Sequence, residues 1–290
     1  MKNVDWTAYQ LFMAVARHGG LSAAAEQLET SPATLGRHIL KLEQAVGRHL
    51  FVRSPTGYEL TVDGQSLFTE LLEMEGASRR LDEWFGKADG LGTVRLAAGS
   101  WVGRLLAQNF SKISAAQDPF SIEMHISEER AKLLHRENDV GIRAVEPTER
   151  NLASIKTGEV AYCAYRLRNM PVTNYDRWIA VNEQVAVSPY LIWPHRHHRD
   201  QLRVTVDRAR DILDLLLSGA GNAVLPCFVG DTEPQLERVG GEIADLRHGQ
   251  WIVANDDDRN ISSIRRVVDR VTRLLKSHAK LFAGQRSPTT

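Results

Sequence analysis

The chain has 290 residues, 43% of them hydrophobic and 25% charged, which suits two or three folded domains and excludes a disordered or fibrous chain. Lys plus Arg and Asp plus Glu are 36 each, so any affinity for a polyanion must come from local clustering rather than a global field. No apolar run approaches the ~20 residues of a membrane span and the N-terminus lacks a signal peptide's pattern, so a cytoplasmic protein with no membrane partner is expected.

The first informative elements lie in residues 22–60. Ser22 to Leu28 reads as a helix with Ala24, Ala25 and Leu28 inward. Ser31 is placed to cap a second helix, and Pro32 fits its first position, where a missing donor is not needed. At 100° per residue, Leu35, Ile39, Leu42 and Val46 form an apolar stripe, while Thr34, Arg37, His38 and Lys41 gather about a third of a turn away. Gly47 ends this helix. Leu50–Arg53 and Gly57–Leu60 then read as short strands joined through Ser54-Pro55-Thr56. A helix-turn-helix followed by a wing is expected. Between Arg37 and Arg53, four cations (Arg37, Lys41, Arg48, Arg53) face one acid, Glu43.

The runs Ala24-Ala25-Glu26-Gln27-Leu28, Leu35-Gly36-Arg37-His38-Ile39, Leu42-Glu43 and Gly47 to Arg53 stand in register with a head pattern "AAxxL…LSxxIxxLExxLGxxLFxR", and Leu60-Thr61-Val62-Asp63-Gly64 continues it as "LTxAG". On these residues the chain resembles the LysR-type transcriptional regulators. The chain has Pro32-Ala33 where the family usually has Gln-Pro or Gln-Ser, and Gly36 where it usually has Ser. The resemblance implies that Ser31, Thr34, Arg37, His38 and Lys41 lie in or over a DNA major groove, with Arg53 and the wing turn at backbone or minor groove. Double-stranded DNA is then the first expected partner.

Thr61 is placed to cap a long helix running to about Lys87. Along it Leu67, Leu71, Met74, Ser78, Leu81 and Phe85 alternate steps of four and three, a heptad seam that wants a partner helix, while packing on its own domain remains the alternative. In the resemblance this helix pairs with its copy, so a homodimer or homotetramer is expected.

After the Gly-rich joint Ala88 to Gly92, Val94–Ala98, Ile122–Ile126 and Asp139–Arg143 read as strands and Val102–Gln117 and Glu128–His135 as helices, an open α/β sheet. The resemblance implies a two-lobed effector domain like a periplasmic solute-binding protein, with Gly219 to Pro226 similar to the family's "GxGxxxLP". The expected boundaries are 1–61 for the DNA-binding domain, 62–90 for the linker helix and joint, and 91–283 for the regulatory domain. Lobe one would take 91–168 with 262–283, lobe two 169–261, and 284–290 would be a tail.

Ligands of open α/β sheets lie beyond strand ends near helix N-termini. That rule selects Ser100, Trp101, Ser127 and Arg143 from one lobe and Thr205 and Cys227 from the other. The resemblance implies a small organic ligand, often a carboxylate, so the expected effector is a small organic anion held bidentately by Arg143; a surface or inter-lobe salt bridge of Arg143 is the alternative. Cys163 and Cys227, each among apolar neighbours, are expected as a reduced buried pair; a redox switch like that of peroxide-sensing relatives is the alternative, though those place their cysteines closer together. Pro194 to Arg199 reads as a solvated basic loop, not a metal site. Neither a nucleophile elbow nor a phosphate-binding Gly loop occurs, so no cofactor and no catalysis are expected. The reading is a DNA-binding regulator modulated by a small molecule; an enzyme with a DNA-binding head, and a regulator without a ligand, are the alternatives.

Overall fold

The computed structural model describes residues 4–54, 57–84, 92–128, 138–149, 151–256, 258 and 261–285. The chain divides into two compact units, one holding the elements through Trp84 and the other those from Gly92 onward. No described helix is long and apolar enough to cross a membrane.

The first unit opens with α1 (Trp6–His18), an element the sequence reading passed over; Asp5 caps it by accepting from the Thr7 amide. Its signal was the apolar set Phe12, Met13 and Val15, all buried. Next come α2 (Leu21–Gln27) and α3 (Pro32–Val46), then the hairpin β1 (Phe51–Ser54) and β2 (Gly57–Leu60). Ala24 and Ala25 are buried as expected, but Leu28 is 40% exposed because α2 ends before it. Ser31 caps α3, and Gly47 stops it in the left-handed conformation at φ 72°. The core joins Phe12, Leu35, Ile39, Leu42, Phe51 and Phe68.

Two glycines let the wing close on this core. A Cβ at Gly57 would lie 2.5 Å from the Gly19 carbonyl, to which the Tyr58 amide donates at 2.9 Å. One at Gly64 would lie 2.0 Å from the Leu50 carbonyl, so the first turn of α4 (Val62–Trp84) lies directly against the start of the wing. Thr61 caps α4, its hydroxyl accepting from the Gly64 amide at 2.9 Å. The joint from Ala88 lies outside the described residues.

In the second unit the larger sheet runs β4 (Phe120–Ile126), β3 (Gly92–Ala98), β5 (Val140–Arg143), β12 (His248–Asn255), β6 (Leu152–Val160). The pairs β3·β4 and β3·β5 are parallel, whereas β12 runs antiparallel to β5 and β6. The expected helix 102–117 is two pieces, α5 (Ser100–Gln108) and α6 (Phe110–Ile113), broken at Asn109. The helix expected from Glu128 falls almost wholly on residues outside those described. The chain returns to this lobe through α10 (Ser262–Ser277) and α11 (Ala279–Phe282).

Lobe two sets β7 (Tyr162–Leu167) between β10 (Ala223–Pro226) and β11 (Leu236–Glu242), beside a parallel pair β8 (Trp178–Val181) and β9 (Leu202–Val206). Helices α7 (Pro189–His197), α8 (Asp211–Leu217) and α9 (Cys227–Gly230) pack around it. Sheet membership corrects the expected lobe boundaries. β7 was assigned to lobe one and pairs in lobe two; β12 was assigned to lobe two and sits inside the sheet of lobe one. The outgoing change of lobe falls at Ala161, inside one extended run from β6 to β7, where no turn residue marks it. The segment expected as a basic loop, Pro194 to Arg199, is instead the end of α7 and the start of a 3-10 turn, with His198 stacked on Trp178 at 3.7 Å and His197 on Trp193 at 4.4 Å.

Candidate functional site

In the head, the cap at Ser31 organises the exposed face of α3. Its hydroxyl accepts from the Thr34 amide at 3.1 Å and lies 2.8 Å from the Thr34 hydroxyl, which accepts from Arg37 at 3.3 Å. Ser31, Arg37, His38 and Lys41 are exposed and Thr34 half-buried, so these five share one solvent-facing side. Arg37, His38 and Lys41 form no ion pair among the described residues.

Arg53 has a different setting. It donates to Glu43 at 2.8 Å, keeps 43% of its side chain exposed, and lies 5.8 Å from the Tyr58 ring centre. Glu43 is 6% exposed, and its other oxygen accepts from the Leu50 and Phe51 amides at 2.8 and 3.3 Å. A single acid thus ties the wing to the recognition helix and holds the wing's arginine. Sequence reasoning took Glu43 as a charge and as part of the family pattern without a structural role; its signal was an acid beside Leu42 on the inward side of α3. Arg48 is likewise paired, with Asp63.

The expected seam on α4 divides in two. Leu71 is 2% exposed and Leu67 half-buried, both packed into the head's own core with Phe68 and Leu72. That burial corrects their placement on a free dimerisation face: the four-three spacing of this half serves the head. Met74 and Leu81 are 50% and 56% exposed. Phe85 lies outside the described residues.

In the second unit the lobes enclose a cavity of about 870 Å³, within the range of small-molecule sites. Of the six expected effector residues, Ser100, Trp101, Ser127 and Arg143 line it together. Thr205 does not: it is an exposed residue of β9, and α8 begins at Asp211 rather than near Asp207. Cys227 does not either, because α9 turns it into the core, where its sulfur lies 3.5 Å from that of Cys163 and both thiols are buried and unbridged.

The seat at Ser100 is already filled. The Ser100 amide, first in α5, donates to Glu128 at 3.0 Å, and the Ser188 hydroxyl donates to the other Glu128 oxygen at 2.9 Å. Ser188 is the N-cap of α7 but spends its hydroxyl on Glu128 rather than on its own helix. One carboxylate therefore bridges helix N-termini of the two lobes. Arg143 faces Glu149 at 3.4 Å. Tyr162 and Tyr190 stack at 5.2 Å over the same space. Burial first and the Glu128 charge second push both phenols above their ordinary value, so they stay protonated. Burial holds His248, also lining the cavity, below its ordinary value. Glu128, Ser188 and the two tyrosines were missed from sequence. Glu128 follows Ser127 at the same strand end, and Ser188-Pro189 before an apolar run repeats the Ser31-Pro32 signature, so both had a local signal.

A winged helix-turn-helix head with a free basic face, on a chain whose second unit encloses a metabolite-sized cavity between two lobes, defines the class of DNA-binding regulators. Residues 6–65 match the model of the "Bacterial regulatory helix-turn-helix protein, lysR family". The chain is 28% identical to the HTH-type transcriptional regulator PtxR of Pseudomonas aeruginosa over 244 residues, 75% of each chain. It is 24% identical to the Mau operon transcriptional activator of Paracoccus denitrificans, over 92% of this chain and 95% of that one. Its fold matches a full-length OxyR variant from Pseudomonas aeruginosa with a TM-score of 0.65 at 15% identity, covering 98% and 100% of the two chains. Residues 6–65 thus match the LysR-family helix-turn-helix head, the chain is similar over most of its length to transcriptional regulators, and it is a DNA-binding transcriptional regulator.

Proposed function

We propose that the head reads double-stranded DNA with the α3 face formed by Ser31, Thr34, Arg37, His38 and Lys41, with Arg53 and the wing beside it, and that the cleft of the second unit holds a small-molecule effector. The observation that carries the DNA reading is the exposed set Arg37, His38 and Lys41, which has no acidic partner among the described residues while Arg48 and Arg53 are paired. Cationic side chains facing solvent on the second helix of this motif meet phosphates and base edges in a major groove. Two copies, joined through the exposed part of α4, place two heads on one duplex, and the effector biases the assembly between two states of different DNA spacing or bend.

The protein acts by binding rather than by catalysis and works in the cytoplasm, where the DNA is. Domain limits of 1–61, 62–90 and 91–283 fit this division of labour, with the lobe limits adjusted to the sheets. Selection of duplexes from a random pool by the full-length protein tests the reading: an enriched inverted repeat supports it, and Arg37→Ala should bind the selected duplex more weakly. A pool left unenriched by the wild-type protein would overturn it.

A further inference from the structure

We propose that the cleft takes an organic cation, a primary amine or diamine whose ammonium group is received by the Glu128 carboxylate. The inference rests on the reading of this cleft as the effector site and reverses the charge expected from sequence. An anion would need the helix N-terminus at Ser100, and that amide is committed to Glu128. A carboxylate offers about four acceptor positions. Glu128 uses two for Ser100 and Ser188 and also faces the Tyr190 phenol, leaving room for a ligand's donor.

The charges around it agree. Among the described residues the lining carries Glu128, Glu146, Glu149 and Asp245 against Arg143 and Arg247. Both arginines already face acids: Arg143 meets Glu149 at 3.4 Å, and Arg247 meets Glu242 at 2.7 Å and Glu159 at 3.0 Å. No cation among the described residues pairs with Glu128, Glu146 or Asp245. Among the described residues an incoming anion would meet more negative than positive charge, whereas an incoming ammonium would find a counter-ion in Glu128.

The buried polar atoms give the independent observation. Asn138 is 8% exposed, lines the cavity, and its side-chain oxygen has no hydrogen-bond partner. An acceptor left so carries a desolvation cost that a ligand's donor relieves. The Trp101 indole and the Tyr190 hydroxyl, buried beside the same space, interact with one another, and the Tyr190 hydroxyl also faces Glu128. Aromatic rings beside a carboxylate make the usual surroundings of an ammonium ion, and Trp101 with the Tyr162–Tyr190 stack supplies them here.

The test titrates the full-length protein with 1,4-diaminobutane, succinate and 1,4-butanediol, which share a four-carbon chain and differ in charge, following thermal unfolding and tryptophan fluorescence to roughly 10 mM. The diamine should raise the melting temperature, while succinate and the diol should not. Glu128→Gln should weaken the diamine about tenfold. Glu146→Gln, at an exposed position, should weaken it by a smaller factor and covers the case in which Glu128→Gln fails to fold. Stabilisation by succinate alone, stronger still in Glu128→Gln, would make Glu128 a plug that an anion displaces and overturn the proposal. Silence from all three compounds overturns it as well. If the diamine binds and both variants weaken it, yet binding to the selected duplex ignores the diamine, the ligand class stands and the effector reading falls.

Discussion

Glu43 does three things at once: it satisfies two amides at the start of the wing, anchors Arg53, and offsets one positive charge of the wing. Charge-assisted bonds of this kind contribute roughly 1.5 to 3 kcal/mol, so Glu43→Gln should lower the melting temperature of the head while leaving dimer mass unchanged. Arg53→Ala would mix lost stability with lost DNA contact and is a poor probe of either. Arg37 and Lys41 are cleaner. Replacing either with Ala should preserve folding and reduce the slope of log affinity against log salt by about one if a phosphate contact is lost, or cost roughly 1 to 3 kcal/mol on the specific site alone if a base contact is lost. Unchanged salt titrations for both variants would remove α3 from the interface.

The two halves of α4 predict opposite outcomes for the same chemical change. Leu71→Asp puts a charge into the head's core, at a cost of at least ~3 kcal/mol, and should unfold the head whatever the oligomeric state. Leu81→Asp falls on an exposed position and should leave the head folded but lower the sedimenting mass. Leu81→Asp at wild-type mass would take that residue out of the subunit contact. The return of α10 to lobe one depends on Asp118, whose side chain is 1% exposed and accepts from Arg270 at 3.0 Å, Arg266 at 3.2 Å and the Ala115 amide at 2.8 Å. The Arg270 guanidinium, foremost, holds this carboxyl well below its ordinary 3.8. A lowered folded-state value means the stabilisation is complete above the ordinary value and fades as pH falls below it. Asp118→Asn should therefore lose roughly 1.5 to 3 kcal/mol at neutral pH, and the gap to wild type should narrow below about pH 4. A constant gap across an acid unfolding series would refute the assignment. Period and cap chemistry made α2, α3, the wing and β3 to β5 legible, because those signals are local. The heptad reading of α4 erred at Leu71 since spacing says which residues share a face, not what covers it.

At the scale of the whole molecule, the cleft was legible as a set of loops and illegible as a charge. The strand-end rule found Ser100, Trp101, Ser127 and Arg143, yet the partner that fills the seat at Ser100 also depends on Ser188, sixty residues beyond Glu128. Thr205 and Cys227 failed because the rule chooses strand ends and cannot tell which way the next turn points its side chain. The exchange of β7 and β12 between lobes was hidden for a related reason, since an extended run looks the same whichever sheet it joins. That exchange also sets the mechanics of the cleft. The chain leaves lobe one between Val160 and Tyr162 and re-enters it between Leu246 and His248; Val160 pairs with His248 in the ladder, and the Tyr162 hydroxyl lies 3.2 Å from the His248 ring. Two crossings side by side act as the spine of a book. A turn of the lobes about that short line keeps Val160 paired with His248, whereas a slide of one lobe past the other breaks the pair.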